Sequence, residues 1–281
     1  EATLDVHRDP DGIAVYRPSA DSGLQDKLQE AARLSGQAAM ILEALGETWL
    51  RGFVEIERGL AAGANGNRAA AAEHQHRAYL LRKELRDPQG MGSALIYLSG
   101  TLIALGRHDE VRALHAEARG YFEVAGDATG LAEVERSEAM LELELGNLDA
   151  AAAQLLSALR MSLALSFTNN VLSVIRGLAL ILAARGETEV ALGALRYVAG
   201  HPATTPFSRA LAESEIRDFV AAGAAEPVAP GHAFDPVGLA SVASEVALAV
   251  QGGVPGAAAP LRSGAPPPDR ATVGASAYAV A

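Results

Sequence analysis

Glycine recurs at Gly66, Gly106, Gly146 and Gly186, forty residues apart each time, and a strict period of that length marks a chain built from stacked supersecondary units. Two further columns keep the same register. Seven residues before each glycine stands a small residue, Gly59, Ser99, Ala139 and Ala179, and five residues after it come Ala71, Val111, Ala151 and Ala191. Twenty residues before each glycine the chain reads LGET from Leu45, LRDP from Leu85, AGDA from Ala125 and a degenerate LSFT from Leu165.

Between these marks lie stretches of helical periodicity, such as Ile96, Leu98, Leu102 and Leu105, or Leu155, Leu156, Leu159 and Leu163, so each repeat is expected to be two helices. Glycine suits the end of the first helix because it enters the left-handed conformation without a Cβ clash. An acidic residue soon after it, Asp109, Asp149 or Glu189, suits the positive end of the next helix. Small residues in the other two columns let paired helices approach closely.

The columns resemble the tetratricopeptide repeat in its longer form of about forty residues, over roughly residues 29 to 222. That form is similar to the C-terminal helical arrays of bacterial signal-transduction ATPases and of transcriptional regulators of the maltose-regulator and antibiotic-regulator kinds. The resemblance implies an all-α fold, a right-handed α-solenoid of stacked antiparallel helix pairs. The chain departs from the family pattern where a large apolar residue is usual: Glu55 and Glu135 stand there in repeats one and three, whereas Leu95 and Ile175 keep it in two and four.

On this reading residues 1–20 form an N-terminal hairpin or linker, with Leu4 and Val6 facing Ile13 and Val15 around the DPDG turn at 9–12. Residues 21–222 are the repeat domain, with repeats near 47–86, 87–126, 127–166 and 167–206, preceded by a partial repeat and closed by a capping helix. The fourth repeat is expected to end early, because Pro202 and Pro206 forbid continuation of its second helix. In the cap, residues 207–222, Leu211, Ile216, Phe219 and Val220 are expected inward. Composition then shifts to Pro, Gly and Ala, so 223–251 reads as a linker with a weak helix at 237–250 and 252–281 as a disordered tail.

The formal charge of −11 argues against direct nucleic-acid binding, which needs a basic stripe. There are no cysteines, which removes disulfides and thiolate chemistry. The absence of cysteine leaves the compartment open, with a cytoplasmic location the default expectation. The apolar stretch VLSVIRGLALILAA at 171–184 is interrupted by Arg176 and is short of the roughly 20 residues that cross a bilayer, so no transmembrane span is expected. The opening EATLDVHRDPDG has no methionine and no basic start feeding an apolar stretch, which reads as a processed product or a piece of a larger parent.

The search for chemistry gives no catalytic residue, metal site or cofactor. Both lysines, Lys27 and Lys83, lack a preceding glycine, no histidine is followed by glutamate, and there is no Gly-x-Ser-x-Gly elbow. His74 and His76 stand two residues apart and so point away from each other around a helix. A calcium loop starting in the DVHRDPDG stretch would have His7 at its first ligand position and Pro18 at its last, where ligands are needed. Glu133, Glu135, Glu138, Glu142 and Glu144 crowd one helix without a nucleophile or electrophile beside them, and read as a charged face.

What the resemblance implies is a non-enzymatic protein-protein interaction module, the sensor or scaffold region of a bacterial regulator, binding a peptide or helix in a concave groove. Transferred by offset, the inner face comprises Phe53, Ile56 and Leu60, then Ile96, Tyr97 and Ile103, then Arg136, Met140 and Leu143, then Arg176 and Leu180. Tyr97, Ile96, Met140 and Leu180 are expected as apolar groove residues, and Arg136 and Arg176 as the groups that orient an acidic moiety on the partner, the other reading being that neighbouring helices or the 237–250 segment cover part of this apolar surface. The alternative is a small-ligand effector-sensing domain linked to an ATPase or DNA-binding domain, which needs an enclosed pocket rather than an open groove.

Overall fold

The structure, a computed structural model, describes residues 6–8, 14–16, 33–34, 36–224 and 232–252. The described chain is overwhelmingly helical. A first helical stretch, α1 (36–44), is followed by α2 (Thr48–Ala64), α3 (Arg68–Glu84), α4 (Pro88–Ala104), α5 (His108–Ala125), α6 (Ala128–Glu144), α7 (Leu148–Ala164), α8 (Thr168–Ala184) and α9 (Thr188–Gly200). Then come α10 (Pro206–Ala221) and α11 (Pro236–Gly252).

One local device sets every turn from α1 to α9. Left-handed residues stand at Gly46, Gly66, Arg86, Gly106, Gly126, Gly146, Ser166 and Gly186, twenty residues apart. Gly146, at φ +78°, shows the geometry: its N–H donates to the Leu143 carbonyl at 3.0 Å and the next N–H, of Asn147, donates to Glu142 at 2.8 Å. These two bonds satisfy carbonyls that the end of a helix leaves bare. The residue after each turn then starts the next helix. Asn67 and Asp87 accept from the N–H groups of Ala70 and Gly90, at 3.1 and 2.9 Å, and Asp109, Asp149 and Glu189 lie in first turns, where their charge meets the helix dipole.

The two small-residue columns are buried: Gly59, Ser99, Ala139 and Ala179 on one side, Ala71, Val111, Ala151 and Ala191 on the other. Each Glu in the apolar column finds a cation. Glu55, nearly buried, accepts from Arg58 at 2.9 Å and pairs with His74 Nδ1 at 2.7 Å, and Glu135 lies 3.6 Å from Arg119.

The described residues fall into two compact bodies, divided inside α6 between Ser137 and Glu138. In the N-terminal body α2 packs on α3, α3 on α4 and α4 on α5. Its core gathers Tyr79, Met91, Leu95, Ile96, Phe122 and Val134. The Phe122 ring lies against two glycines, Gly92 of α4 and Gly130 of α6, where a methyl group on either would overlap it. In the C-terminal body α7 packs on α8, α8 on α9 and α9 on α10, and α11 returns to α8, α9 and α7. The helix α8 is buried from Asn170 to Leu182 except at the half-buried Ser173, as expected for an apolar helix enclosed by neighbours.

The early end of the fourth repeat is visible in α9, which stops at Gly200; Thr204 Oγ1 then donates to the Val198 carbonyl at 2.6 Å. Pro206 opens α10 behind the N-cap Thr205, a position where proline loses nothing. In α10 Leu211 is buried and Ile216, Phe219 and Val220 are half-buried. The weak helix expected at 237–250 is longer, Pro236–Gly252, and carries a buried stripe of Leu239, Val242, Ala243, Val246 and Val250.

At the N-terminus Val6–Arg8 and Ala14–Tyr16 pair antiparallel, with Val6 opposite Tyr16. So short a pairing gives no support to a stable hairpin, and the DPDG turn lies outside the described residues, as does the tail from residue 253. Among the described residues no helix is long and apolar enough to cross a membrane.

Candidate interaction surface

The inner-face residues separate by exposure. In the N-terminal body, Phe53 of α2 is 49% exposed and Tyr97 of α4 is 43% exposed. Trp49, one turn before Phe53, is also exposed and meets it edge-on at 4.7 Å between ring centroids. The Arg82 guanidinium lies 4.3 Å from the Phe53 ring centroid and 5.1 Å from that of Trp49, and it donates to Asp87 at 3.1 Å. These aromatic rings are thus held on one side by a buried arginine and open on the other.

Around Tyr97 stand charges from the flanking helices. Its phenol is pushed up first by burial, then by Glu133 of α6 and Glu57 of α2, with Arg136 opposing. The Glu133 carboxyl is likewise pushed up, by burial first and by Asp127, against the pull of Arg136. Substantial exposure combined with desolvation is the signature of a recess. Water reaches Tyr97, yet protein crowds it, and the charge beside it comprises two carboxylates and one guanidinium.

The six expected groove residues divide accordingly. Tyr97 is exposed and Arg136 half-buried, whereas Ile96, Met140 and Leu180 are core side chains, Met140 and Leu180 at 1% exposure. Side chains so deeply packed have no surface to offer a partner. Arg176 corrects the expectation most sharply. It is 5% exposed and donates through Nη1 to Glu215 Oε1 of α10, so the acidic group it was expected to take from a partner is supplied by its own chain. Burial pushes the Glu215 carboxyl up, to about 7, against the pull of Arg176.

Beneath the recess lies a buried polar chain that the sequence did not announce. His115 Nε2 is 2.9 Å from Ser137 Oγ, Ser137 is 3.2 Å from Ser99 Oγ, and Ser99 donates to the Ile96 carbonyl at 2.8 Å. All three residues are buried, so this is not a reachable serine-histidine pair. Burial, followed by Arg136, Arg119 and Arg112, holds His115 down at about 4. Of the neighbouring histidines expected to diverge, His74 is taken by Glu55 and His76 is exposed. Among the described residues no group of His, Asp and Glu is arranged to hold a metal ion.

A separate hollow of about 360 Å³ lies where α1, α2 and α3 meet, lined by Arg51, Arg58, Arg77, Glu43, Glu55 and Leu80. Compared with known proteins, the chain matches no family model, and no curated protein shows significant similarity to it.

Proposed function

We propose that this chain is a non-enzymatic interaction module of the tetratricopeptide kind, the sensor or scaffold region of a bacterial regulator, and that its N-terminal body binds a peptide or helix across Phe53 and Tyr97. The observation that carries the reading is the pair of half-exposed aromatic rings on successive inner helices. Large apolar side chains left in a recess are a recurrent feature of partner sites. With Arg176 engaged by Glu215 and Glu57 and Glu133 beside Tyr97, the recess favours an apolar anchor next to a basic residue.

The test uses a twelve-residue peptide selected by display against the intact protein. Titrated against Tyr97→Ala, it should bind more weakly by about 1 kcal/mol or more, while Arg112→Ala on an exposed face of α5 leaves affinity unchanged. Equal affinity for both variants and the parent would remove the recess from the reading.

A second reading, the effector-sensing domain of a signal-transduction ATPase regulator, draws support from the hollow at Arg51, Arg58 and Arg77. Its guanidinium groups pair within the chain, Arg51 with Glu43, Arg58 with Glu55 and Arg77 with Glu73, so a small anion with an apolar portion would compete with those carboxylates for them. Stabilisation by dicarboxylates or phosphate monoesters, lost in Arg58→Ala, would favour it.

A further inference from the structure

The strongest unassigned feature is the way α11 is held in the C-terminal body. Every helix from α7 to α10 packs on its sequence neighbour, but α11 comes back to α8, α9 and α7, a face that those three helices build together. Its last turn and the segment leading into it are gripped through main-chain atoms. Arg185, at the C-cap of α8, donates Nη1 to the Val250 carbonyl at 2.8 Å, and the Tyr197 hydroxyl of α9 donates to the Ala233 carbonyl at 3.1 Å. A guanidinium on a last-turn carbonyl also meets the negative end of the helix dipole.

Between these two grips the contact is apolar and regular. Leu239, Val242, Ala243, Val246 and Val250 are buried, spaced as one stripe of an amphipathic helix. Ahead of the helix, Phe234 seats against Gly200, where an added Cβ would come within 2.8 Å of its ring, and meets Tyr197 and His201 at 5.3 and 5.8 Å between centroids. The Asp235 side chain caps the helix by accepting from the Gly238 N–H at 2.8 Å. The outer face of α11 is itself apolar in places, with Val237 and Leu248 exposed.

Carbonyl grips read no side chain, and the floor reads only spacing and size. That is how a receptor holds a helical peptide: apolar anchors at helical intervals, with polar groups engaging the main chain. We infer that the face formed by α7, α8 and α9 is a helix-docking surface which α11 fills in cis, and that an amphipathic helix of a partner protein takes the same seat. Its pattern would be an aromatic residue, then Leu five positions on, then Val at the spacing of 242, 246 and 250. This rests on the C-terminal body alone and does not depend on the recess around Tyr97. Tethering gives α11 a local concentration that a free helix must overcome, so the intact chain is the closed form.

The experiment uses the full chain and a fluorescent peptide of residues 233–252. Val246→Asp in the full chain loosens α11 while leaving every residue of the seat in place. The variant should keep the helical signal and melting transition of α2 to α10 and bind the peptide at least tenfold tighter than the parent does. A peptide carrying the same substitution should not bind. In the parent, native-state hydrogen exchange should show α11 amides opening before those of α8 and α9. Loss of the whole fold in Val246→Asp, exchange of α11 in step with α8, or a folded variant blind to the peptide would each overturn the proposal. A concentration-dependent dimer of the parent would give the seat to a second copy and overturn the assignment to a partner.

Discussion

Tyr97 and Gly177 occupy the same offset of the repeat, eighty residues apart, one in each body. Tyr97 is 43% exposed, whereas at Gly177 a Cβ would come within 2.9 Å of a Leu155 methyl and 3.3 Å of the Met140 sulfur. One position before each, Ile96 joins a core cluster in the N-terminal body while Arg176 is buried on Glu215 in the C-terminal body. The repeat is common to both, and its turns are the same. What differs is the chain that follows: α10 brings a carboxylate to Arg176, and α11 brings an apolar stripe to α8. In a repeat protein, which stretch of a common row stays open depends on what later elements cover, and only part of that is written in the row itself.

The largest expected effect breaks the closed side. Arg176→Ala leaves the Glu215 carboxyl buried without its cation, a loss that approaches about 3–5 kcal/mol only where the carboxyl is ionised. Urea unfolding followed by helical signal above neutral pH, where the paired carboxyl is ionised, measures it. Glu215 sits at about 7 in the fold, above the 4.5 of an ordinary glutamate. Its contribution is therefore fully present below 4.5 and is lost as pH rises through 7. The Arg176→Ala deficit should accordingly shrink in acid, where the carboxyl is protonated and needs no cation. The apolar double variant, Arg176→Met with Glu215→Leu, should recover most of the loss. Wild-type stability in the single variant would mean that the pair does not hold α10 to α8.

The N-terminal body should respond to pH in the other direction. His115 is held at about 4, below the 6.5 of a free imidazole. Its contribution is present above 6.5 and is lost as pH falls towards 4, by about 3 kcal/mol over the full span. Burial, with Arg209 adding, also lowers His201 in the C-terminal body, so the slope must be assigned with a variant. In His115→Gln, which stays neutral and can still hydrogen-bond Ser137, amides of α4 and α5 should no longer lose protection between pH 6.5 and 5. An unchanged slope in that variant would shift the acid response to His201.

The turns were legible because each is a local event of a few residues: a glycine at Gly66, Gly106, Gly146 or Gly186 with helical periodicity on both sides. Burial of Ala71, Val111, Ala151 and Ala191 followed from the same register. Arg176 was misjudged because its partner lies 39 residues away in sequence on a helix read as a cap, and periodicity carries no pairing information. A clue was present, since Glu55, Glu135 and Glu215 share one column and a repeated carboxylate in an apolar column calls for a cation. The helix α11 was undervalued for a different reason. Its stripe is Leu, Val and Ala inside a Pro-, Gly- and Ala-rich stretch, and composition averages away a pattern that only a packed face reveals. The recess around Tyr97 was half visible: the tyrosine could be placed by offset, but Glu57 and Glu133 beside it could not.

The smallest expected effect tests whether the two bodies share one turn device despite their different surfaces. Arg86 in the N-terminal body and Ser166 in the C-terminal body both adopt φ +54°, at positions where the other turns from α1 to α9 have glycine. A residue with a Cβ carries a left-handed cost of about 1–2 kcal/mol, and glycine removes it while adding chain entropy to the unfolded state. Arg86→Gly and Ser166→Gly should each therefore raise stability, by up to about 1 kcal/mol, because both side chains are exposed and little contact is lost. Gly146→Ala, at φ +78°, should move the other way by about 1 kcal/mol. Chemical denaturation of the three variants against the parent reads all the signs. If Arg86→Gly stabilises and Ser166→Gly does not, the degenerate LSFT turn is held by something other than backbone geometry. The shared turn device would then fail at that one turn, with Gly146 and Gly186 still keeping the register on either side of it in the C-terminal body.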